Sequence, residues 1–190
     1  MSEINLHYTD HCGWIELITG PMFSGKTEEL IRRIRRAIYA NQKVGIFKPS
    51  MDNRYSEEHV VSHDQNMLKS IPVDHSGDIV KRSKEFNVIG IDEAQFFDQE
   101  LAAACNTLAD KGKRVIVAGL DMDYKGNPFG PIPELMTKAE YVTKLSAICM
   151  ECGNPAHFSH RIIKGDQQII LGEKDKYIPL CRKCFHHFNQ

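Results

Sequence analysis

Residues 14–27 read WIELITGPMFSGKT, and this stretch decides the fold. Its first six residues, Trp14–Thr19, form a short, mostly apolar run that ends at a glycine, which is the pattern of a buried strand. Residues 20–27, GPMFSGKT, match Gly-x-x-x-x-Gly-Lys-[Ser/Thr], the Walker A pattern. The stretch therefore predicts a phosphate-binding loop at the end of a buried strand.

The residue types of this loop suit the phosphates of ATP. Glycines let backbone N–H groups turn toward phosphate oxygens, and the helix that follows presents its N-terminus to the same anion. Lys26 is predicted to neutralise the β- and γ-phosphates, and Thr27 to offer its hydroxyl to Mg²⁺. The alternative is a chance match in a loop of small residues, but the flanking strand and helix patterns favour phosphate binding. The predicted ATP-binding residues are Gly20, Pro21, Met22, Phe23, Ser24, Gly25, Lys26 and Thr27.

Beyond the loop, strand patterns alternate with helix patterns as far as about residue 145. Residues 28–40 predict a helix, because Leu30, Ile34 and Ile38 recur every four residues while arginines occupy the other faces. Further strands are predicted at 43–47, 71–73, 88–91, 114–118 and 141–145, and further helices from about Asp78 and at 98–110. Residues 50–70 are polar and aperiodic, which predicts a long mobile loop. The alternation predicts an α/β fold, with a parallel sheet and helices on both faces.

An acidic pair follows one of the predicted strands, in the sequence VIGIDEAQ at 88–95. Asp92 is the expected partner of the phosphate loop and would hold Mg²⁺. Glu93 is the candidate general base, which would activate a hydroxyl or a water for attack on the γ-phosphate. The alternative is that the pair only caps the next helix, and the preceding phosphate loop favours the catalytic interpretation.

Four cysteines in the last quarter of the chain form two Cys-x-x-Cys pairs: Cys149, Cys152, Cys181 and Cys184. Two thiolate pairs at this spacing predict a closed, structural zinc site. The 28 residues between the pairs exceed the gap of about 15–20 in a zinc ribbon, so a hairpin or lid is predicted there. The alternative is four unrelated buried thiols. Helical periodicity stops after Cys149, and a domain boundary is placed near 146–149, dividing the chain into 1–148 and 149–190.

Other cysteines and histidines are assigned no role in the zinc site, because four thiolates already complete its shell. These residues are Cys12, Cys105, His157, His160, His186 and His187. The loop at 119–130, GLDMDYKGNPFG, follows a strand at the edge where open α/β sheets bind ligands. Its aromatic residues Tyr124 and Phe129 could flank a base or could only anchor the loop, and the pattern leaves both interpretations open.

Composition narrows the class of protein. Of the 190 residues 42% are apolar and 26% charged, as in ordinary globular proteins, and the net charge is −1. Nucleic-acid-binding proteins usually carry a surplus of basic residues, so no nucleic acid is expected as a partner of this chain. The first ten residues lack a signal-peptide pattern, and no apolar run approaches the ~20 residues of a membrane helix. The prediction is a cytoplasmic protein that does not engage a membrane.

Taken together, GPMFSGKT, DNRYS at 52–56, IDEAQFF at 91–97, the 119–130 loop and the double Cys-x-x-Cys resemble the type II, cellular-type thymidine kinase family, in matching order from about Trp14 to Phe185. The resemblance implies a RecA-like domain with a zinc-bound lasso lid, a homotetramer, and transfer of the ATP γ-phosphate to the 5′-hydroxyl of thymidine and also of deoxyuridine. Feedback binding of dTTP is implied as well.

The resemblance also implies roles for single residues. Glu93 matches the family's general base, and Lys26, Thr27 and Asp92 match its phosphate and magnesium positions. Gln95 matches a position beside the sugar. Asp52 and Arg54, with Tyr55, correspond to a flexible loop near the phosphates. The residues that match the thymidine pocket and its lid are Met22, Gln95, Leu120, Tyr124, Phe129, Ser159, Arg161, Ile170, Gly172 and Tyr177.

Two other functions fit part of the pattern. The letters DEAQ at 92–95 resemble a helicase box, but such motors need two RecA domains, for which 190 residues leave no room. An ATP-dependent, zinc-containing nucleic-acid or adaptor protein is the alternative function, with ATP acting only as a switch. Phosphoryl transfer to a nucleoside separates the kinase from both.

Overall fold

The computed structural model describes residues 12–51, 59–61, 67–163 and 176–188. The strands of these ranges are β1 (Trp14–Thr19), β2 (Val44–Pro49), β3 (His59–Val61), β4 (Met67–Lys69), β5 (Ile71–Val73), β6 (Val88–Ile91), β7 (Arg114–Gly119), β8 (Tyr141–Lys144), β9 (Ala147–Ile148), β10 (Pro155–Ala156), β11 (Phe158–Arg161) and β12 (Tyr177–Leu180). The helices are α1 (Lys26–Tyr39), α2 (Ser76–Arg82), α3 (Leu101–Asp110), α4 (Ile132–Lys138) and α5 (Arg182–Phe188), with a short 3-10 helix at Ala94–Phe96. Within these ranges no helix is long and apolar enough to cross a membrane.

Six strands form the central sheet in the order β5-β2-β6-β7-β1-β8. Every neighbouring pair is parallel. The phosphate loop follows β1, and β7 separates β1 from β6, the strand that ends at the acidic pair. Because all six strands run the same way, the residues after β1, β6 and β7 meet at one edge of the sheet. The predicted RecA-like parallel sheet is therefore confirmed.

Helices cover both faces of this sheet, as the sequence predicts. Along β7, Ile116 and Ala118 face α1, whereas Val115 and Val117 face the side covered by α2, α3 and α4. Successive strand residues point to opposite faces, so each strand contributes apolar side chains to two cores. Buried on both faces, the strands have the near-continuous apolar sequences expected of a parallel sheet.

The apolar stripe of α1 differs from the prediction in one position. Leu30 and Ile34 are buried, but Ile38 is 44% exposed, and Ile31 and Ala37 complete the buried stripe instead. Each four-residue step advances about 40° beyond a full turn, so the third residue of such a series lies about 80° away from the first. Residues spaced strictly four apart therefore rotate away from the core-facing side of the helix, whereas a mixture of three- and four-residue spacings keeps them on that side.

Three sequence expectations about elements are wrong. The predicted long loop at 50–70 contains β3 and β4, which pair as an antiparallel hairpin. Helix α4 was not predicted, because its prolines suppress a helical pattern, although Pro131 and Pro133 both lie at the start of the helix, where proline is tolerated. Helical structure also returns after Cys149 in α5, which is too short to show periodicity.

A buried ion pair network anchors β1 at the edge away from the site. The carboxylate of Glu16, 4% exposed, accepts hydrogen bonds from Arg114 Nε at 2.6 Å, Trp14 Nε1 at 2.8 Å and Arg33 Nη1 at 2.9 Å. Burial by itself raises the pKa of Glu16, but the Arg114 hydrogen bond and charge, with Trp14 and Arg33, hold the pKa below its ordinary value of 4.5. Folding therefore stabilises the ionised carboxylate.

Replacing Glu16 by Gln is expected to lower the free energy of unfolding at pH 7 by about 3 kcal/mol, because the buried carboxylate no longer pairs with the half-buried Arg114 and Arg33. The folded pKa is depressed, so the stabilisation is present above about pH 4.5 and is lost as the pH falls through the folded pKa. Urea unfolding of parent and variant should therefore converge in acid. Asp78→Asn, at an exposed pair with Lys81, is the control and should change little. Equal losses from both substitutions would contradict the prediction.

Candidate active site

The phosphate loop has a backbone that requires glycine at its first position. Gly20 has φ of 142°, and a Cβ there would lie 2.4 Å from the carbonyl oxygen of Leu145. Gly25, with φ of 83°, turns the chain into α1. Lys26 Nζ donates to the Pro21 carbonyl oxygen at 2.6 Å, so the lysine side chain curls over its own loop. Helix α1 thus begins at the concave side of the loop, where an anion is favoured.

Asp92 at the end of β6 faces the hydroxyl of Thr27. Thr27 Oγ1 lies 3.3 and 3.5 Å from the two carboxylate oxygens of Asp92, long for hydrogen bonds. Asp92 is 7% exposed and accepts from the backbone N–H of Glu93 at 3.0 Å. A hydroxyl and a carboxylate are hard oxygen donors of the kind that Mg²⁺ prefers. The predicted pairing of the loop with the acidic strand end is present in the structure.

Four carboxylates act on the lysine of the phosphate loop. Burial lowers the pKa of Lys26 from its ordinary value, and that shift is opposed by the charges of Glu93, Asp92, Asp121 and Glu28. Because these charges act on one ammonium group, the ends of β6 and β7 and the phosphate loop form a single electrostatic site. An anionic ligand with its own divalent cation would complement both signs of charge.

Two residues of the site have backbone conformations that side chains rarely adopt. Among the described residues, the non-glycine positions with positive φ are Phe23 (63°), Asn41 (57°) and Glu93 (50°). Asn41 follows α1, where asparagine commonly adopts this conformation. Phe23 lies in the phosphate loop and Glu93 is the candidate base, and strained backbone of this kind concentrates at functional sites.

The side chain of Glu93 is held by Gln95. Gln95 Nε2 donates to Glu93 Oε2 at 2.6 Å, and Gln95 Oε1 accepts from the backbone N–H of Leu120 at 2.9 Å. Gln95 is 2% exposed. These two bonds join the end of β6 to the loop that follows β7, which brings three of the sequence-predicted residues together.

The loop after β7 carries its two aromatic residues in different surroundings. The guanidinium of Arg161 lies 3.3 Å from the ring centroid of Tyr124, so it covers one face of that ring. Phe129 is 7% exposed and meets Phe96 edge to face, with ring centroids 5.8 Å apart. Phe129 is therefore packed into the fold, while Tyr124 joins the loop to β11.

The β11–β12 hairpin also contacts the phosphate loop. Ser159 Oγ accepts a hydrogen bond from the backbone N–H of Met22 at 2.9 Å. Ser159 and Arg161 lie on β11, and Tyr177, 8% exposed, pairs with Arg161 across the hairpin. The hairpin therefore reaches both the phosphate loop and the loop after β7. The remaining predicted residues, Asp52, Arg54, Tyr55, Ile170 and Gly172, lie outside the described residues.

Two buried acids were given no role from the sequence. Asp121, 6% exposed, meets Lys144 Nζ at 2.6 Å, a contact between the loop after β7 and the last residue of β8 that no local sequence pattern predicts. Asp123 Oδ1 accepts from the backbone N–H groups of Lys125 and Asn127 at 2.9 and 3.0 Å. An aspartate that accepts from the backbone N–H two residues on is a common turn residue, so this second role was readable from the sequence.

The four predicted cysteines form one cluster. The sulfur atoms of Cys149, Cys152, Cys181 and Cys184 all lie within 4.8 Å of one another. A tetrahedron with Zn–S bonds of about 2.3 Å has S–S edges of about 3.8 Å, so the spacing is compatible with structural zinc. Hydrogen bonds from the backbone and side chain of Asn154 lower the pKa of Cys152 to about 6. The thiolate, the form that binds metal, is thereby favoured at one corner.

A small apolar core lies beside this cluster. Phe158 of β11 stacks on Phe185 of α5 with ring centroids 4.4 Å apart, and Leu180 is fully buried between them and the cysteines. Cys149 and Cys184 belong to the same core. The cysteine pairs and α5 thus complete a core that includes Phe158 and Leu180 of the hairpin.

With a phosphate loop on β1 and magnesium-type donors at the end of β6, the molecule is a P-loop nucleotide-binding α/β protein with a cysteine-rich unit. A family model described as thymidine kinase matches residues 13–185. The chain belongs to the thymidine kinase family, as its motifs predict.

Curated relatives agree along almost the whole chain. A thymidine kinase of Bacteroides thetaiotaomicron is 56% identical over 184 residues, which is 97% of this chain and 92% of the relative. Thymidine kinases of a Rhodothermus species and of Porphyromonas gingivalis are 55% and 56% identical over 185 residues, covering 97% and 96% of this chain and 87% and 91% of theirs.

Proposed function

We propose that this chain transfers the γ-phosphate of ATP to the 5′-hydroxyl of thymidine, producing thymidine 5′-monophosphate for nucleotide salvage. The observation that carries the proposal is the acidic pair after β6, with Asp92 facing the phosphate-loop hydroxyl and Glu93 held by Gln95 at the same edge. Asp92 is suited to bind a metal ion, and Glu93 is suited to accept a proton. The relatives' names supply the nucleoside.

The proposed step needs one base and one concentration of positive charge. Glu93 takes the proton of the 5′-hydroxyl while that oxygen forms its bond to the γ-phosphorus. The bond between the γ-phosphorus and the β,γ-bridging oxygen breaks at the same time, and ADP leaves with that oxygen and the electron pair. Lys26 neutralises the oxygens of the β- and γ-phosphates during the transfer. The backbone N–H groups of residues 20–27 orient the same phosphates.

Thr27 and Asp92 are the proposed magnesium ligands. Their donor atoms are hard oxygens, and Asp92 is fixed by the Glu93 backbone N–H. The ion supplies charge neutralisation at the phosphate oxygens. Thr27 and Asp92 would hold the magnesium ion at the same edge of the sheet as Glu93, the proposed general base.

The nucleoside pocket is proposed between the loop after β7 and the lid. Since Arg161 covers one face of Tyr124 and Lys125 Nζ lies 5.4 Å from the same ring centroid, the edge of the ring is proposed to meet a base. Among the described residues, the rest of the proposed lining consists of Met22, Leu120, Phe129, Ser159 and Tyr177. Ile170 and Gly172, which lie outside the described residues, are also proposed to line the pocket. Asp52 and Arg54 are proposed to act near the phosphates.

Structural zinc is proposed at the four cysteines, as the staple of a lid formed by residues 149–190 on a nucleotide-binding domain of residues 1–148. Zinc binding would couple the two cysteine pairs to the hairpin between them. Through Ser159 and Arg161 that hairpin touches the phosphate loop and Tyr124. Loss of zinc is therefore expected to weaken the binding of the nucleoside more than the binding of ATP.

Cys181→Ser is expected to lose zinc and to raise the KM for thymidine by about tenfold or more, with a smaller change in the KM for ATP, because the lid loosens while the phosphate loop stays intact. The measurement is metal content alongside both Michaelis constants on one preparation. Cys12→Ser, at an exposed cysteine outside the cluster, is the control. A parent protein without zinc refutes the site, and an unchanged thymidine KM after zinc loss refutes its link to the lid.

The family resemblance supports further proposals about partners. A homotetramer is proposed and is tested by light scattering across protein concentration. Feedback binding of dTTP is proposed and is tested by its competition with the substrates. Deoxyuridine is proposed as a second substrate, because the same 5′-hydroxyl would face the same base. A cytoplasmic location is also proposed, because the proposed substrates are metabolites.

Release of ADP with different additions separates the kinase from the adaptor and helicase alternatives. Thymidine should stimulate ADP release strongly, and single-stranded RNA should not. Stimulation by RNA without any effect of nucleosides would overturn the proposal, and release unaffected by either would favour the switch-like adaptor.

A further inference from the structure

Both ends of the Gln95 side-chain amide form hydrogen bonds within the protein. Its Nε2 donates to Glu93 Oε2 at 2.6 Å and its Oε1 accepts from Leu120 N at 2.9 Å. The partners fix which end is which, since the Leu120 N–H can only donate and an ionised carboxylate can only accept. Rotating the amide by 180° would break both bonds. The side chain therefore has one orientation that satisfies its surroundings.

The space around Gln95 is as restricted as its hydrogen bonding. A Cβ on Gly119 would approach Gln95 Oε1 to 3.0 Å, and a Cβ on Gly130 would approach the Gln95 carbonyl oxygen to 2.3 Å. Glycines at these positions let the strand end and the loop after β7 close around the residue. With 2% exposure, Gln95 is a fixed part of the fold, in contrast to a surface side chain free to follow a ligand.

We propose that Gln95 is a positioning residue that fastens the carboxylate of Glu93 to the end of β7. This inference rests on the proposed role of Glu93 as base. It differs from the role implied by the family resemblance, which places Gln95 beside the sugar. In the structure Gln95 acts on the reaction through Glu93.

Glu93 needs such a tether because of its backbone. With φ of 50° and ψ of 40°, it lies in the left-handed region, which residues other than glycine rarely adopt. The bond from Gln95, which is itself bonded to Leu120 after β7, fixes the carboxylate relative to the adjoining strand. A base misplaced by about 1 Å can cost about 10²-fold in rate, so the tether has kinetic consequences.

A double-mutant cycle tests whether Gln95 acts through Glu93. Gln95→Met keeps the length of the side chain and removes both hydrogen bonds. Its kcat is expected to fall by about 10- to 100-fold in the parent, but by less than about twofold in the Glu93→Gln background, where no base remains to be positioned. The KM for thymidine should stay within about twofold of the parent value in both backgrounds. Equal losses of kcat in the two backgrounds, or a thymidine KM that rises with Gln95→Met, would overturn the inference.

Gln95→Glu gives a second readout and guards against a folding defect. The new side chain has the same shape and can still accept from Leu120 N, but it replaces the donor to Glu93 with a carboxylate that repels it. The kcat of Gln95→Glu is therefore expected to fall by about 10-fold or more, while the KM for ATP stays within about twofold of the parent value. A folded, ATP-binding Gln95→Glu protein with parental kcat would contradict positioning.

The outcome for Glu93→Gln alone separates this inference from the proposed function. If Glu93→Gln turns over like the parent, the base assignment fails and Gln95 has nothing to position. If Glu93→Gln is slow while both Gln95 variants keep parental kcat, the base stands and the tether is wrong. Thermal unfolding of every variant shows that the comparison is made between folded proteins.

Discussion

Turnover of the Glu93→Gln variant is expected to fall by about 10²- to 10⁴-fold, the usual contribution of a general base. Glutamine keeps the size of the side chain and can still bond to Gln95, but it cannot take a proton from a hydroxyl. The affinity for ATP should change little, because the phosphates are held by the loop and Lys26. The measurement is kcat together with ATP affinity at pH 7.

Glu85→Gln is the matched control, since its carboxylate is 82% exposed and is paired only loosely with Lys43 at 3.9 Å. That variant should turn over like the parent. A Glu93→Gln protein with near-normal kcat would remove the base from the proposed mechanism, whatever the nucleoside.

The kcat/KM for ATP is expected to fall by about 10²-fold in Lys26→Ala, the second large effect. The substitution removes the cation that neutralises the β- and γ-phosphates, and hydrogen bonds to charged groups contribute about 1.5–3 kcal/mol. Both ATP affinity and turnover should suffer, because the phosphates carry charge before and during transfer. ATP titration calorimetry and initial rates measure the two parts separately.

Lys81→Ala is the control for Lys26, because that lysine is 77% exposed and pairs with Asp78 on the surface. Its loss should leave ATP binding unchanged. If Lys26→Ala bound and used ATP as the parent does, the loop at 20–27 would not be a phosphate site.

The sequence predicted the central fold well because its signals are local. Trp14–Thr19 is mostly apolar and the glycines of the loop have fixed spacing, so strand, loop and helix could be assigned without any long-range contact. The meeting of Thr27 with Asp92 followed from a general rule, since the carboxyl ends of parallel strands share one edge. The cysteine cluster followed from the spacing of its pairs.

What the sequence could not predict depends on contacts between distant residues or on short elements. The tether from Gln95 to Leu120 spans 25 positions and appears only when β6 and β7 lie side by side. Helix α5 has seven residues, about two turns, and is held by Cys184 and Phe185 in the small core beside the cysteines. Neither feature has a periodic pattern of its own.

The aromatic residues after β7 show where the pattern was ambiguous. Tyr124 and Phe129 could equally have anchored the loop or flanked a base. Phe129 packs edge to face on Phe96, which is anchoring, while Tyr124 stacks with Arg161 from the hairpin. Whether either ring also meets a nucleoside stays a prediction, because the deciding contacts are with a ligand.

Identification of the phosphorylated product is the most direct test of the central claim. Purified protein with Mg-ATP should be given each common nucleoside and deoxynucleoside in turn, and product and ADP quantified together by chromatography. The account predicts thymidine 5′-monophosphate, formed in a one-to-one ratio with ADP, and no product with the Glu93→Gln variant on the same time scale. ADP release without any phosphorylated nucleoside, or phosphorylation at the 3′-hydroxyl, would contradict it.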